Sequence, residues 1–188
     1  MKYDSKVMEL KMKNSLVITN TDAKLTLKKV KRLMAITNKI LEKKDDGWLD
    51  FLLDWLDKNI IQKRTNYPRK KDDLVQIKYI SLRWNRLKQL PIEFFNLRKI
   101  ETLELNNNVL ESIPDEICNL KNLKNLNLNI NNLNMLPHSI VKLKKLEMIN
   151  IKNNKRLSLN KEQIRWLTEL KQKGCQITYD KYKFNLGE

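Results

Sequence analysis

The sequence predicts an α/β solenoid, and three observations carry that reading. Four asparagines, Asn85, Asn108, Asn131 and Asn154, stand 23 residues apart. Around the first three, apolar residues recur in one frame. They are Ile77, Ile80, Leu82, Leu87, Leu90, Phe94 and Leu97, then Ile100, Leu103, Leu105, Leu110, Ile113, Ile117 and Leu120, then Leu123, Leu126, Leu128, Leu133, Leu136, Ile140 and Leu143. A proline, Pro91, Pro114 or Pro137, takes the same place in each unit. A fixed period of this length marks a chain that stacks one supersecondary unit on the next. A fourth unit starts at Leu146, Ile149, Ile151 and Asn154 and then loses register.

Such a stack needs its ends covered, because a terminal unit otherwise exposes core and an open strand edge. Residues 1–73 do not repeat and are read as a mainly helical N-terminal cap. Residues 6–19 could form a hairpin. Val30, Leu33, Met34, Ile40 and Leu41 follow helical spacing over residues 24–44. Asp45-Asp46-Gly47 breaks that helix, and a second runs from about Trp48 to Gln62. Its stripe of Trp48, Leu49, Leu52, Trp55, Leu56 and Ile60 is too broad for a lone surface helix. Trp48, Leu52, Trp55 and Leu56 are expected to bury against Ile77, Ile80 and Leu82. A competing reading makes this region a separate module with Lys28, Lys31, Arg32, Lys39 and Lys43 as its contact face. Residues 63–73 form a polar loop into the first unit.

Residues 74–156 hold the repeats. Leu103 and Leu105 are two apart, so on a strand they share one face, while Thr102, Glu104 and Asn106 point to solvent. Asn108 follows the strand where the chain turns, and its amide can bond unpaired backbone groups there. Recurrence of the same residue predicts a stacked internal ladder of Asn85, Asn108, Asn131 and Asn154. Pro114 opens the return segment, where its fixed φ suits a turn or a loose helix. Residues 157–188 read as a C-terminal cap. Asn160-Lys161-Glu162-Gln163 has the form of a capping box. Ile164, Leu167 and Leu170 share a helical face, Gly174 is placed to end the helix, and residues 175–179 alternate as a last strand.

The segments "LKQLPIEFFNL", "LESIPDEICNL" and "LNMLPHSIVKL" resemble those of bacterial leucine-rich repeat proteins of the 23-residue LP-x-x-I class, over about Ile77 to Asn154. The resemblance implies a curved parallel sheet on the concave face and a non-catalytic, protein-binding role with an unidentified protein as partner. In that frame the concave face carries Tyr79, Ser81, Arg83, Trp84 and Arg86 from the first repeat. Asn106 and Asn107 come from the second, Asn129 and Ile130 from the third, and Lys152 and Asn153 from the fourth. Binding energy concentrates in Trp, Tyr and Arg, which makes Tyr79, Arg83, Trp84 and Arg86 the expected contact cluster. Asn106, Asn129 and Lys152 extend it. The competing reading packs Tyr79 and Trp84 against the cap helices.

Composition narrows the rest. No apolar run reaches the length of a membrane span. Residues 1–14 have no signal-peptide core, so the chain reads as cytoplasmic, with secretion by a route lacking a cleaved signal as the alternative. The net charge of +16 raises a second function, nucleic-acid binding. Against it, the excess is spread along the chain. Residues 1–73 carry 18 basic and 11 acidic side chains, and residues 74–188 carry 20 and 11. Lys also far outnumbers Arg and Asn is abundant, as AT-rich codons would give. A third function is a regulator or inhibitor docking on another enzyme. Cys118 and Cys175 are expected as reduced thiols, the second half-buried, and His138 as a surface residue without metal partners. No glycine-rich phosphate loop, activated nucleophile or paired carboxylate points to catalysis or to a cofactor.

Overall fold

The computed structural model describes residues 47–61, 67–184 and 186. The expected hairpin at 6–19, the helix at 24–44 with its basic face, and the Asp45-Asp46 break lie outside them. Helix α1 (Gly47–Asn59) places Asp50 in its first turn and Lys58 in its last, each at the end of the helix dipole that favours its charge. Leu49, Leu52 and Leu56 are buried on one face. They join the apolar core that continues through Ile80 and Leu82, with Trp48 and Trp55 packed against it half-buried. The helix ends at Asn59, short of the expected Gln62. There the Asn59 amide donates to the Trp55 carbonyl (2.8 Å) and the Ile61 N–H leaves the helix to donate to Asn85 Oδ1 (2.8 Å). A short helix α2 (Lys71–Leu74) buries Leu74 and leads into the first coil.

Five three-residue strands, β1 (Tyr79–Ser81), β2 (Thr102–Glu104), β3 (Asn125–Asn127), β4 (Met148–Asn150) and β5 (Gln176–Thr178), form one parallel sheet in sequence order. The first four pair at a constant offset of one repeat: Ile80 beside Leu103, Leu126 and Ile149. All four are buried. The residues flanking them face outward on the concave side, as the period of two requires. The chain returns on the convex side through three 3-10 segments, Ile92–Asn96, Asp115–Asn119 and His138–Lys142, each opened by a proline with φ between −59° and −68°. Phe94, Ile117 and Ile140 fill the core from that side. Phe95 is also fully buried, edge-on to Phe94 at 5.6 Å, although its position is polar or small in the other coils.

The asparagine ladder is present and all four members are buried. Asn108 Oδ1 accepts from the Asn85 and Leu87 N–H groups (3.0 Å each). Its Nδ2 donates to the Leu82 carbonyl (2.8 Å) in the preceding coil and the Leu105 carbonyl (2.9 Å) in its own. Asn131 repeats the pattern on Leu110, Leu105 and Leu128, and Asn154 on Leu133, Leu128 and Ile151. Buried backbone groups must be paired, and here one side chain satisfies several at once. Asn85 has no coil before it, and its oxygen serves Ile61 of the cap instead.

The fourth coil keeps register beyond Asn154, where the sequence was expected to lose it: Ser158 pairs with Met135 one repeat before, and Leu157 is buried in the core. Helix α3 (Lys161–Gln172) then stands where a 3-10 segment would. Its capping box forms as expected, Asn160 Oδ1 accepting from the Gln163 N–H and Gln163 Oε1 from the Asn160 N–H. Leu167 and Leu170 are buried while Ile164 is half-buried. Trp166, not foreseen in the core, is buried with its indole N–H on the Leu143 carbonyl (3.2 Å). Gly174 ends the helix at φ 90°. Cys175 is buried rather than half-buried, and burial, with Glu147 second, pushes its thiol up from the ordinary range. It is therefore a core residue of low reactivity.

Candidate concave interface

The sheet register sorts the outward residues into rows that cross the coils. Tyr79, Thr102, Asn125, Met148 and Gln176 form the first row, and Ser81, Glu104, Asn127, Asn150 and Thr178 the second. Backbone ladder bonds continue past the strands, from Trp84 N–H to the Asn106 carbonyl (3.3 Å), Asn107 to Asn129 (3.0 Å) and Ile130 to Lys152 (3.1 Å). They align a third row of Arg83, Asn106, Asn129 and Lys152, and a fourth of Trp84, Asn107, Ile130 and Asn153. Four of the seven residues expected to bind a partner thus share the third row.

At the N-terminal end of these rows Tyr79 and Trp84 are 54% and 59% exposed. Among the described residues neither is sealed beneath the cap. Tyr79 Oη donates to Glu104 Oε2 (3.0 Å), and Arg83 Nη1 lies 3.8 Å from the same oxygen. Burial first, then the Glu104 carboxylate it donates to, pushes the Tyr79 phenol above its ordinary value, so it stays a neutral donor at physiological pH. Arg86 is exposed, and among the described residues it makes no ion pair. The middle of the surface is a field of polar side chains, half-buried in the second and third coils and exposed at Asn153, tied across coils by hydrogen bonds. Asn153 Nδ2 donates to Asn129 Oδ1 (3.0 Å), and Asn125 Nδ2 to Thr102 Oγ1 (3.1 Å). Asn107 and Asn129, expected to face solvent, are both half-buried, and Asn129 is the one that accepts within this network.

The fourth row has a property the sequence frame did not assign. Trp84, Asn107, Ile130 and Asn153, each one residue before a ladder asparagine, all have φ between 52° and 63°. Asn tolerates this left-handed region and a β-branched residue does so poorly. The signal was available: two of the four positions are Asn, the non-glycine residue most at home there.

Elsewhere the polar groups clamp coil to coil. Glu101 bridges Lys78 (3.0 Å) and Lys124 (3.2 Å), and these two lysines hold its carboxyl below the ordinary carboxylate value. On the convex side a hollow of about 680 Å³ is lined by Asp115, Cys118, His138 and Glu162 among others. Asp115 is committed to Ser139, whose backbone N–H (3.1 Å) and hydroxyl both bond it. The first of these contacts leads in lowering its carboxyl. Among the described residues no cluster of three His, Cys, Asp or Glu side chains is placed to hold a metal ion, and no helix is long and apolar enough to cross a membrane.

A leucine-rich repeat protein of Leptospira interrogans matches with 30% identity and a TM-score of 0.48, over 60% of this chain and 28% of that one. The plant peptide hormone receptor RGFR1, solved in complex with RGF2, matches with 34% identity and a TM-score of 0.38, over 50% of this chain and 18% of the receptor. The chain thus spans under a third of either protein. No curated protein matches it. A model of the leucine-rich repeat region matches residues 53–172, which takes in every coil, most of α1 and all of α3. The chain belongs to the leucine-rich repeat family.

Proposed function

We propose that the chain is a non-catalytic protein-interaction module of the bacterial 23-residue type, engaging a partner on the concave face. Residues 1–73 and 157–188 act as caps on the repeats at 74–156. Leucine-rich repeat scaffolds are typically interaction modules, and the observation that carries the reading here is the exposed cluster at the head of the rows. Tyr79 and Trp84 lie open beside Arg83 and Arg86 on a sheet whose backbone is bonded throughout. Large, amphipathic side chains on a rigid support lose little freedom on binding, which is why such types dominate interface energetics.

The nucleic-acid reading draws no comparable support from the concave face. Its exposed cations are few and separated by uncharged amides, and Lys78, Lys124 and Lys183 are engaged within the fold. The test starts from a partner captured from the source cell. Truncating Trp84 or Arg83 to Ala should cost at least about 2 kcal/mol of affinity for it and leave the melting temperature nearly unchanged. Changes at convex Lys144 and Lys145 should alter neither. Loss of stability with unchanged affinity would return Trp84 to the cap and end this reading.

A further inference from the structure

The concave rows also carry information about the chemistry of the partner. Ile130 is 45% exposed and sits at φ 52°. Its backbone is strained for a β-branched residue, and its side chain is not in the core. Neither folding nor solubility accounts for an isoleucine there, whereas Asn107 and Asn153 fill the equivalent positions without conflict. Trp84 shares the row two coils away, about 10 Å at one strand spacing per coil. In the adjacent row Arg83 and Lys152 stand three coils, or about 14 Å, apart, with the neutral Asn106 and Asn129 between.

The charges on this face are one-sided. Glu104 accepts from the Tyr79 hydroxyl (3.0 Å) and lies 3.8 Å from Arg83, a loose pair that leaves the Arg83 side chain 57% exposed and able to take a second carboxylate. Asp180 is buried, accepting from the Asn153 N–H (3.0 Å). Exposed Arg86, Lys152 and Lys181 have no ion pair among the described residues. The Asn106 side-chain oxygen is buried and receives no hydrogen bond among the described residues.

Building on the concave-face reading, we propose that the occupant is an acidic protein segment that crosses the coils. Its carboxylates lie at Arg83 and Lys152, and an apolar side chain seats between Trp84 and Ile130 over Asn107. Peptide N–H groups of the segment meet the amide field between. The strain at Ile130 is retained because that methyl-bearing surface is part of the contact.

A random twelve-residue peptide library selected on the full chain tests this. The expected winners carry Asp or Glu on both sides of an apolar residue. Their binding should fall at least tenfold in Ile130→Asn and in the double reversal Arg83→Glu, Lys152→Glu. Ile130→Asn relieves the backbone, so its melting temperature should hold or rise, which excludes unfolding as the cause. Winners that are neutral or basic yet lost on Trp84→Ala would overturn the acidic partner and keep the concave site. Winners indifferent to Trp84, Ile130 and Lys152 would overturn the concave site itself. Competition of the winners by a single-stranded oligonucleotide at low salt, lost steeply as salt rises, would give the cations to phosphate instead.

Discussion

Two neighbouring positions in every coil behave in opposite ways. The ladder position holds Asn four times, always buried, and Asn108, Asn131 and Asn154 each tie their own coil to the one before. The position just before it holds Trp84, Asn107, Ile130 and Asn153, with the two bulky members exposed and the backbone left-handed each time. One repeats because the same backbone groups must be satisfied in each coil. The other varies because it meets solvent or a partner, and what varies is what can be specific. Uniformity in this solenoid therefore marks a repeated structural need, and an exposed departure from it is where specificity could reside.

The largest blow to the uniform side is loss of its first cover. A fragment Asp73–Glu188 lacks buried Leu49, Leu52 and Leu56, each contributing about 2 kcal/mol by burial, together with the Ile61 donor on Asn85. It should aggregate or fail to express in soluble form. A soluble, cooperatively melting fragment would instead make the preceding residues an independent module. Next comes the ladder. Asn108→Ala or Asn131→Ala strands several buried backbone groups and should cost about 3 kcal/mol in denaturant melts, since each stranded group costs about 1–3 kcal/mol before relaxation. Asn129→Ala, in the open amide field, should stay within about 0.5 kcal/mol. Equal losses at the two positions would erase the distinction drawn above.

The end of the ladder should be weaker than its middle. Asn85→Ala, at the cap junction, should cost about 1 kcal/mol, and a loss as large as at Asn108 would mean the cap is tied in as firmly as a coil. On the variable side the sign reverses: Ile130→Asn should gain about 1 kcal/mol by relieving the left-handed strain. A clear loss there would make Ile130 a packing residue. The smallest effect is electrostatic. Glu101 is held below its ordinary value of 4.5 by Lys78 and Lys124, so its contribution is fully present above that pH and lost as acid carries it through the lowered folded value. Glu101→Gln should flatten the fall in stability below pH 4.5, measured by melts from pH 6 to 3.

The sequence made the uniform side legible because periodicity records repeated physical needs. Leu103, Leu105, Asn108 and Pro114 could be assigned to strand, core, ladder and return from spacing alone. So could the α3 capping box, a local pattern with a local cause. What escaped was nonperiodic or tertiary. Trp166 is buried with its indole on Leu143 of the preceding coil, Phe95 is buried edge-on to Phe94, and a single indole or phenyl carries no frame. The rows of the candidate interface were partly legible, as Arg83 and Lys152 show, since outward residues follow from the same period. The left-handed turn at Ile130 was legible only through Asn107 and Asn153 at the equivalent positions, because apolar periodicity reports faces and not φ.

The register itself has a further consequence. Because each ladder asparagine ties only its own coil to the one before, a whole coil could be inserted or removed between Asn108 and Asn131 without altering either junction. Each such event would move Lys152 relative to Arg83 by about 4.8 Å, one strand spacing, while a partial coil would break every bond at the seam. The solenoid is thus a ruler graduated in whole coils, and the distance between outward residues at its two ends changes only by whole steps.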